Sequence, residues 1–354
     1  MRICFVVGTR PQVIKSALII NALRHRLGGD FALVHTGQHY DYEMFDIFVK
    51  ELLEEPPEAC LGIRAIGHGE QTGQMLIALE RYLKAEKPEL VAVPGDTNSA
   101  LAAALAAVKL QIPVAHIEAG ARCFDPYMPE EINRIVIDHV AAHLYAPTPT
   151  CVKNLRQEGL SERTIHTGDP LLDILLYVLK RVGQQPRRDH LLVTVHRQEN
   201  VDDPQRLTTI VRILQDAASL HPVIFPIHPR TVDRLRRYGL WEKLRQTPNL
   251  ELCKPVGYED FIRLLATAYA VLTDSGGVQR EAFHLGTPCI TLRDRTEWPE
   301  TVEAGANVLV GLHYEKATQA LHELHPLPQP TLPTPFGDGQ ASQRIVELLI
   351  QATE

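Results

Sequence analysis

The chain has 354 residues, which is enough for about two domains, each with its own core. Hydrophobic residues make up 45% and charged residues 22%, which excludes a disordered chain, and no apolar run approaches the ~20 residues of a membrane span. The 36 Lys and Arg against 43 Asp and Glu give a net charge of −7, which argues against nucleic acid as a partner.

Short apolar runs alternate with helical patterns in the first half of the chain. Strands are predicted at residues 3–7, 32–36, 90–93 and 114–117, and helices at residues 13–26, 73–84 and 99–110. The last of these helices is almost wholly Ala, Leu and Val, so it is expected to be buried. The alternation is typical of a parallel sheet with crossover helices and predicts a first α/β domain over residues 1–170.

A second series of strands follows a polar stretch at residues 183–189. Its strands are predicted at residues 191–195, 223–227, 250–252, 271–273 and 289–292. We therefore expect two doubly wound domains with a cleft between them, the second over residues 171–335. A proline-rich segment at residues 325–335 interrupts the pattern, and the last segment, 336–354, predicts a helix that packs back on the first domain.

The six cysteines are scattered and form no C-x-x-C pair, so neither a disulfide framework nor a zinc site is predicted. A reducing cytoplasm is the simplest compartment. The 16 histidines include no H-E-x-x-H or other tight cluster, and we expect neither a metal nor a cofactor. The apolar amino terminus is too short for a signal peptide and is interpreted as the first buried strand.

The first strand ends at Gly8-Thr9-Arg10-Pro11, ahead of a helix that contains Lys15. Pro11 suits the first helical position, and the amides there, with Arg10 and Lys15, predict a site for phosphate or carboxylate. The motif is neither G-x-G-x-x-G nor a P-loop, which disfavours dinucleotide binding and nucleoside triphosphatase chemistry. An ordinary turn with surface cations is the alternative.

Two carboxylates follow two predicted strands, Asp96 after residues 90–93 and Glu118 after residues 114–117. If these parallel strands are neighbours, their carboxyl ends lie about 5 Å apart, at the edge where open α/β sheets bind ligands. Two carboxylates held that close suit a general acid and base pair. Alternatively, Asp96 is a helix N-cap, and Glu118 pairs with His116 or Arg122.

A further carboxylate, Glu130, lies in the first turn of a helix predicted from Pro129. Arg134 follows it by four residues, so the two could form a helix-stabilising ion pair. The spacing alone leaves the role of Glu130 open.

In the second domain, two strand ends carry groups suited to a diphosphate. One strand ends at His196-Arg197, and another leads through Ser275-Gly276-Gly277 into a helix whose amides can bind phosphate oxygens. Glu281 in that helix could accept hydrogen bonds from a ribose diol. An ordinary turn is the alternative, but together with Arg10 the pattern implies one anionic ligand that spans the cleft.

Seven motifs occur in order along nearly the whole chain. They are Gly8-Thr9-Arg10-Pro11 with Lys15, Gly95-Asp96-Thr97, His116-Ile117-Glu118-Ala119-Gly120, Pro129-Glu130-Glu131 with Asn133-Arg134, His196-Arg197, Asp274-Ser275-Gly276-Gly277, and Arg293-Asp294 with Thr296-Glu297. Together they resemble the non-hydrolysing UDP-N-acetylglucosamine 2-epimerase family.

That resemblance implies a GT-B-like fold of two Rossmann-type domains, a homodimer, and a UDP-sugar as substrate. The implied reaction inverts C2 of UDP-N-acetylglucosamine (UDP-GlcNAc) reversibly to give UDP-ManNAc, which would serve polysaccharide biosynthesis. In the family, UDP leaves by anti elimination to give 2-acetamidoglucal, and it adds back after a proton returns on the other face.

The resemblance also implies roles for residues at the motif positions. The catalytic residues would be Asp96, Glu118, Glu130 and His196, with Asp96 expected to remove the C2 proton and Glu118 or Glu130 to return one. The substrate-binding residues would be Arg10, Lys15, Arg134, Arg197, Ser275, Gly276, Gly277 and Glu281, the last for the ribose.

Arg280 and Trp298 depart from residues found in many family members and could alter the sugar preference. An epimerase of UDP-2,3-diacetamido-2,3-dideoxyglucuronate, whose carboxylate needs a cation, is therefore one alternative. A GT-B glycosyltransferase, a hydrolysing epimerase and a silent UDP-sugar-binding protein are others. Three carboxylates gathered at one sheet edge favour proton transfer over glycosyl transfer.

Overall fold

The computed structural model describes residues 2–38, 46–64, 67–183 and 190–354. The chain divides into two compact units, one of residues 1–176 with 332–354 and the other of residues 177–331. Each unit is built on a parallel sheet, as the alternation of apolar runs and helical patterns predicts. The end of the chain belongs to the first unit.

Within the described residues, the sheet of the first unit has seven strands. They are Ile3–Val7 (β1), Phe31–His35 (β2), Ala59–Cys60 (β3), Leu90–Pro94 (β4), Val114–Ile117 (β5), His143–Ala146 (β6) and Thr164–His166 (β7). The strands are parallel and lie in the order β3-β2-β1-β4-β5-β6-β7. The sequence predicts the four fully buried strands β1, β2, β4 and β5 but misses the other three, which are short and include polar or exposed residues.

Helices alternate with these strands. They are Arg10–Leu27 (α1), Ile47–Leu52 (α2), His68–Glu86 (α3), Asn98–Lys109 (α4), Pro129–Val140 (α5), Pro149–Gln157 (α6) and Pro170–Val182 (α7). The helix predicted at residues 73–84 is α3, which begins earlier, at His68. The prediction missed its first turn because that turn is polar and has no apolar periodicity, whereas the later turns carry the buried Met75, Leu79 and Leu83. Of the helices in the described ranges, none has the length and apolar character needed to cross a membrane.

The helix α4 is buried, as predicted, with eight of its 12 residues inside the unit. It packs against α3 and α5, and its alanine side chains let these helices approach closely. The strands on either side of α4 in sequence are neighbours in the sheet, with Val93 opposite His116 and Pro94 opposite Ile117. The residues that follow β4 and β5 therefore lie at the same sheet edge.

The described residues of the second unit form a six-stranded sheet. Its strands are Leu191–Thr194 (β8), Val223–Pro226 (β9), Leu250–Cys253 (β10), Ala270–Thr273 (β11), Cys289–Thr291 (β12) and Asn307–Leu309 (β13). The strands are parallel, in the order β10-β9-β8-β11-β12-β13, and only the edge strand β13 was not predicted from the sequence. Thr194 of β8 lies opposite Thr273 of β11, so the ends of these two strands meet.

The helices of the second unit complete its layers. They are Gln198–Val201 (α8), Pro204–Leu220 (α9), Pro229–Arg237 (α10), Trp241–Arg245 (α11), Tyr258–Thr267 (α12), Gly276–Leu285 (α13), Pro299–Glu303 (α14) and Tyr314–His322 (α15). The unit's main core brings apolar side chains of α9 and α15 against those of the sheet, including Leu214, Phe225 and Leu321.

The last helix, Ala341–Gln351 (α16), packs on α1 of the first unit. Arg2 Nη2 donates to Thr353 Oγ1 at 2.7 Å, and Arg26 Nη1 lies 2.5 Å from Glu347 Oε1. The two ends of the first unit's sequence are thereby held together.

We expect Leu349→Ala, in α16, to destabilise the first unit by about 2–5 kcal/mol, because Leu349 is fully buried and the substitution leaves a cavity. Urea unfolding followed by far-UV circular dichroism measures this. Both tryptophans, Trp241 and Trp298, lie in the second unit, so their fluorescence reports that unit separately. Gln351→Ala, on the exposed side of α16, is the matched control, and equal unfolding midpoints for the two variants would contradict the assigned packing.

Candidate active site

Asp96 follows β4 in a turn that begins with Gly95, whose φ is +69°. Its carboxylate pairs with Arg134 of α5. The N-cap of α4 is Thr97, whose Oγ1 accepts from the Ala100 amide at 3.1 Å, so the alternative reading of Asp96 as the N-cap is wrong. The side chain of Asp96 is therefore oriented by an ion pair and not by capping.

Glu118 follows β5 and is paired with Lys15 of α1, at 2.8 Å between Oε1 and Nζ. Both side chains are buried, with exposures of 7% and 8%. A Cβ at Gly95 would lie 2.8 Å from Lys15 Nζ, so the ammonium group occupies space that only glycine leaves open. The alternative pairing of Glu118 with His116 is wrong, because both ring nitrogens of His116 bond elsewhere.

Asp96 and Glu118 thus follow neighbouring strands, as predicted, but each has its own cation. The arrangement is two ion pairs at one edge of the sheet. Carboxylates beside cations at the edge of a parallel sheet can take up a proton while nearby positive charge stabilises an anionic group.

The adjacent carboxylates Glu130 and Glu131 have different surroundings in the first turn of α5. Glu131 is buried, accepts from the amides of Cys123 and Phe124 at 3.1 and 2.9 Å, and lies 2.6 Å from Arg134 Nη1. Glu130 is partly exposed. Glu131 therefore shapes the loop before α5, and Glu130 is the carboxylate of this turn that solvent reaches.

The turn after β1 is fixed largely by Gln12, which the sequence analysis did not select. Its Oε1 accepts from the amides of Gly8 and Thr9 at 2.8 and 3.2 Å, so the protein itself engages these two amides. Arg10 is half-buried and lies over the Phe48 ring, 5.3 Å from its centroid. The side chains of Arg10 and Lys15 supply the positive charge of this turn.

A buried network lies behind the ends of β4 and β5. His116 Nδ1 is 2.6 Å from Asp138 Oδ1, and Arg122 Nη2 is 2.7 Å from Asp138 Oδ2. Burial alone would raise the pKa of Asp138, but the ion pairs and hydrogen bonds from His116 and Arg122 outweigh burial and hold that pKa below its ordinary value. Asp138 is therefore a carboxylate inside the protein.

In the second unit, the buried Asp274 joins the ends of β8 and β11. Its side chain accepts from the amides of His196 and Arg197, at 3.1 and 2.9 Å, and from Asn200 Nδ2 at 3.1 Å. Burial raises the pKa of Asp274, while these hydrogen bonds act to lower it. The His196 imidazole lies 3.3 Å from Asp274 and stacks on the His228 ring. Asp274 thus sets the direction of the His196-Arg197 turn.

The helix α13 begins at Gly276, after Ser275 as N-cap, so the Ser-Gly-Gly segment opens a helix as predicted. A Cβ at Gly276 would lie 3.0 Å from Trp298 Nε1, a tight contact to which the tryptophan would have to adjust. The Arg280 guanidinium lies over the Trp298 ring, 3.9 Å from its centroid. Glu281 is buried, and its Oε1 accepts from Tyr258 at 2.8 Å.

The sequence-predicted residues therefore fall into one group in each unit. The group of the first unit, at or near the ends of β1, β4 and β5, comprises Arg10, Lys15, Asp96, Glu118, Glu130 and Arg134. The group of the second unit, at the ends of β8 and β11 and in α13, comprises His196, Arg197, Ser275, Gly276, Gly277 and Glu281. A single ligand that spans both groups stays a prediction.

A family model described as UDP-N-acetylglucosamine 2-epimerase matches residues 21–350 of the chain. The chain belongs to the UDP-N-acetylglucosamine 2-epimerase family. A protein of Methanocaldococcus jannaschii with the name UDP-N-acetylglucosamine 2-epimerase is 44% identical, over 99% of both chains. A Pseudomonas aeruginosa protein named UDP-2,3-diacetamido-2,3-dideoxy-D-glucuronate 2-epimerase is 43% identical, also over 99% of both.

Solved structures of this family have the same fold. The M. jannaschii UDP-GlcNAc 2-epimerase in complex with UDP-GlcNAc and UDP has a TM-score of 0.94 and 44% identity, covering 99% of this chain and 100% of its own. The Neisseria meningitidis enzyme bound to UDP-GlcNAc has a TM-score of 0.85 and 30% identity, with the same coverage. The predicted family and the predicted GT-B-like fold of two Rossmann-type domains are confirmed.

Sequence analysis of this epimerase-family chain missed the buried residues that hold the site residues in place. Asp274 belongs to the Asp274-Ser275-Gly276-Gly277 motif but was not predicted as a site residue, and no role was predicted for Asp138. The sequence signal that could have identified Asp138 is its position on the buried face of the strongly amphipathic helix α5, since an acidic residue there needs a cationic partner. Which cation it finds depends on the tertiary structure.

We expect Asp138→Asn to lower the free energy of unfolding by about 3–5 kcal/mol at neutral pH, because it breaks a buried ion pair. The pKa of Asp138 is lower in the folded chain than its ordinary value of 3.8, so its carboxylate stabilises the fold above about pH 4. That contribution is lost as the pH falls through the folded pKa. The difference between the two proteins should therefore shrink in acid.

Urea unfolding of both proteins from neutral pH to about pH 3 checks this dependence on pH. Glu80→Gln, which removes an exposed ion pair with Lys84 on α3, is the control and should change stability little at any pH. If the free energy of unfolding of Asp138→Asn stays below that of the unsubstituted chain by the same amount at acid pH, the carboxylate charge is not what stabilises the fold.

Proposed function

We propose that the chain is a non-hydrolysing UDP-GlcNAc 2-epimerase, an isomerase that interconverts UDP-GlcNAc and UDP-ManNAc. The observation that carries the proposal is the pair of carboxylates, Asp96 and Glu118, that follow neighbouring strands and are each bonded to a cation. Membership of the epimerase family, and relatives named for this reaction, support it.

In the proposed reaction, a carboxylate removes the proton at C2 while the bond from C1 to the UDP oxygen breaks. The electron pair of the C–H bond forms the C1–C2 double bond of 2-acetamidoglucal, and UDP leaves with the pair of the C–O bond. A proton then returns to C2 on the other face, and UDP adds back at C1. We assign proton removal to Asp96, and proton return to Glu118 or Glu130.

The leaving diphosphate needs positive charge and amide donors. We assign this role to Arg10 and Lys15 in the first unit and to the turn segments His196-Arg197 and Ser275-Gly276-Gly277 in the second. The support is that both second-unit segments lie at the ends of neighbouring strands and that α13 begins at the glycines. Glu281, on the same helix, is assigned to the ribose.

A second candidate is the same inversion on UDP-2,3-diacetamido-2,3-dideoxyglucuronate. The observation that favours it is Arg280, whose guanidinium stacks on Trp298 beside Gly276 and which could meet the sugar's carboxylate. The P. aeruginosa relative carries the name of that activity. UDP-GlcNAc stays the first candidate, because more of the relatives are named for it.

We also propose a homodimer, in the cytoplasm, that serves polysaccharide biosynthesis, as the family resemblance implies. Exposed apolar side chains on α5, Ile132 and Ile135, support a contact between copies, since contiguous exposed apolar surface marks interaction sites. Tyr127, in the loop before α5, is 91% exposed and adds an aromatic side chain of the kind enriched at interfaces.

The reaction is tested by proton NMR of UDP-GlcNAc with the protein in D2O. We expect UDP-ManNAc to appear, deuterium to enter C2 of both epimers, and the nucleotide to stay attached. Asp96→Asn should lower this exchange by about 10²- to 10⁴-fold while UDP still binds, because the variant loses the base and keeps the phosphate site. Glu80→Gln, a surface carboxylate change on α3, is the matched control and should keep full exchange.

Other outcomes of this experiment point elsewhere. Free ManNAc with UDP would move the chain to the hydrolysing branch. Deuterium exchange at C2 of UDP-2,3-diacetamido-2,3-dideoxyglucuronate, without exchange in UDP-GlcNAc, would favour the second candidate. Full exchange in Asp96→Asn would remove Asp96 from the catalytic role.

The oligomer is tested by light scattering after size exclusion. We expect the unsubstituted chain to have the mass of a dimer and Ile132→Glu to shift it towards monomer, because a charge would be buried at the contact. Leu220→Glu, at an exposed leucine on α9 of the second unit, is the control and should stay dimeric. A monomer mass for the unsubstituted chain at all concentrations would overturn the proposed dimer.

A further inference from the structure

We propose that His116 is a positioning residue for the reaction: as an imidazolium bonded to both Asp138 and the Gly95 carbonyl, it fixes the turn that carries Asp96. This inference rests on the proposed function, since it takes Asp96 as a reacting group. His116 is fully buried and both of its ring nitrogens are bonded within the protein, so it does not reach a substrate itself.

The two partners of His116 determine its protonation. Nε2 lies 2.8 Å from the carbonyl oxygen of Gly95, and a carbonyl can only accept, so Nε2 carries a hydrogen. Nδ1 lies 2.6 Å from Asp138 Oδ1, while Oδ2 of the same carboxylate accepts from the Gly120 amide at 3.1 Å and from Arg122 at 2.7 Å. Because Asp138 is held as a carboxylate, Nδ1 also carries a hydrogen, and the ring is positively charged.

The charges around the ring balance. His116 and Arg122 are positive, and Asp138 and Glu158 are negative, with Arg122 Nη2 at 2.8 Å from Glu158 Oε2. The Glu158 side chain is 26% exposed, so the network reaches solvent at one end. A buried imidazolium is costly alone, but in a neutral network whose members are hydrogen-bonded the cost of desolvation is offset.

The Gly95 carbonyl is one of three successive carbonyls bonded to buried side chains from three different elements. The donors are Gln12 Nε2 to Pro94 at 2.8 Å, His116 Nε2 to Gly95 at 2.8 Å, and Asn133 Nδ2 to Asp96 at 2.9 Å. The backbone around the reacting carboxylate is therefore held at every peptide from the end of β4 to Asp96.

The same ion pair also reaches the second carboxylate turn. Asp138 accepts from the amide of Gly120, two residues after Glu118. His116 and Asp138 together thus connect the turn after β4 to the turn after β5. A displacement of about 1 Å between reacting groups can cost 10²-fold in rate, so the loss of this connection should lower turnover. His116 and Asp138 are both fully buried and do not reach a substrate, so substrate affinity should change little.

The test is the steady-state kinetics of His116→Gln in the full chain. A glutamine side chain has one donor nitrogen and one acceptor oxygen. If the nitrogen donated to the Gly95 carbonyl, the oxygen would face the Asp138 carboxylate, which also only accepts, so the connection between the two would be lost. We expect kcat to fall by about 10- to 100-fold and KM for UDP-GlcNAc to change by less than about threefold.

The matched control is His190→Gln, in the second unit. His190 is also buried, and its Nε2 lies 3.2 Å from the backbone carbonyl of Leu264. This variant loses a buried histidine without touching either carboxylate turn, so its kcat should stay near that of the unsubstituted chain. An unchanged kcat in His116→Gln, or an equal fall in both variants, would overturn the inference.

A second measurement does not depend on turnover. NMR of the full chain with 15N-labelled histidine, at neutral pH, should show a His116 ring with a proton on both nitrogens, assigned by its loss in His116→Gln. Asp138→Asn should convert that ring to the neutral form, because its counter-charge is gone. A ring with one protonated nitrogen in the unsubstituted chain would overturn the inference. The absence of C2 exchange in that chain would instead overturn the proposed function, so the two failures are distinguishable.

Discussion

A charge placed in the interior of a protein must be stabilised by a partner of opposite charge or by hydrogen bonds, and this constraint organises the first unit. The effective cost of desolvation is several kcal/mol for each ion. Glu118 is buried against Lys15, and Arg134 is buried between Asp96 and Glu131. The two candidate carboxylates are therefore held in place by side chains of α1 and α5 as well as by the strands that precede them.

The second unit meets the same constraint by other means. Asp274 is fully buried, and its carboxylate is surrounded by the amides of His196 and Arg197 and by the side chain of Asn200. Hydrogen bonds from amides stabilise the charge while leaving the two strand ends locked to each other. Asp274 thus bonds directly to the turn after β8, whereas Asp138 bonds to the Gly120 amide after β5 and reaches the Gly95 carbonyl after β4 through His116.

The sequence predicted the central strands well because each is an apolar run bounded by turn residues. Strand pairing then follows from the rules of parallel sheets, so the meeting of Asp96 and Glu118 at one edge could be expected before any coordinates. The strands β6 and β7 contain histidine and threonine and give no such run. The network of His116 and Asp138 was also missed, since the two residues are 22 positions apart and only the packing of α5 on the sheet brings them together.

The ion pairs of the first unit also limit how its cations can bind an anion. Lys15 neutralises Glu118 and Arg134 neutralises Asp96, so a shift of either cation towards a diphosphate would weaken its pairing with a carboxylate. Arg10 is half-buried, and its guanidinium lies over the Phe48 ring. By contrast, the backbone amides at the start of α13 in the second unit can stabilise an anion without a carboxylate losing its partner.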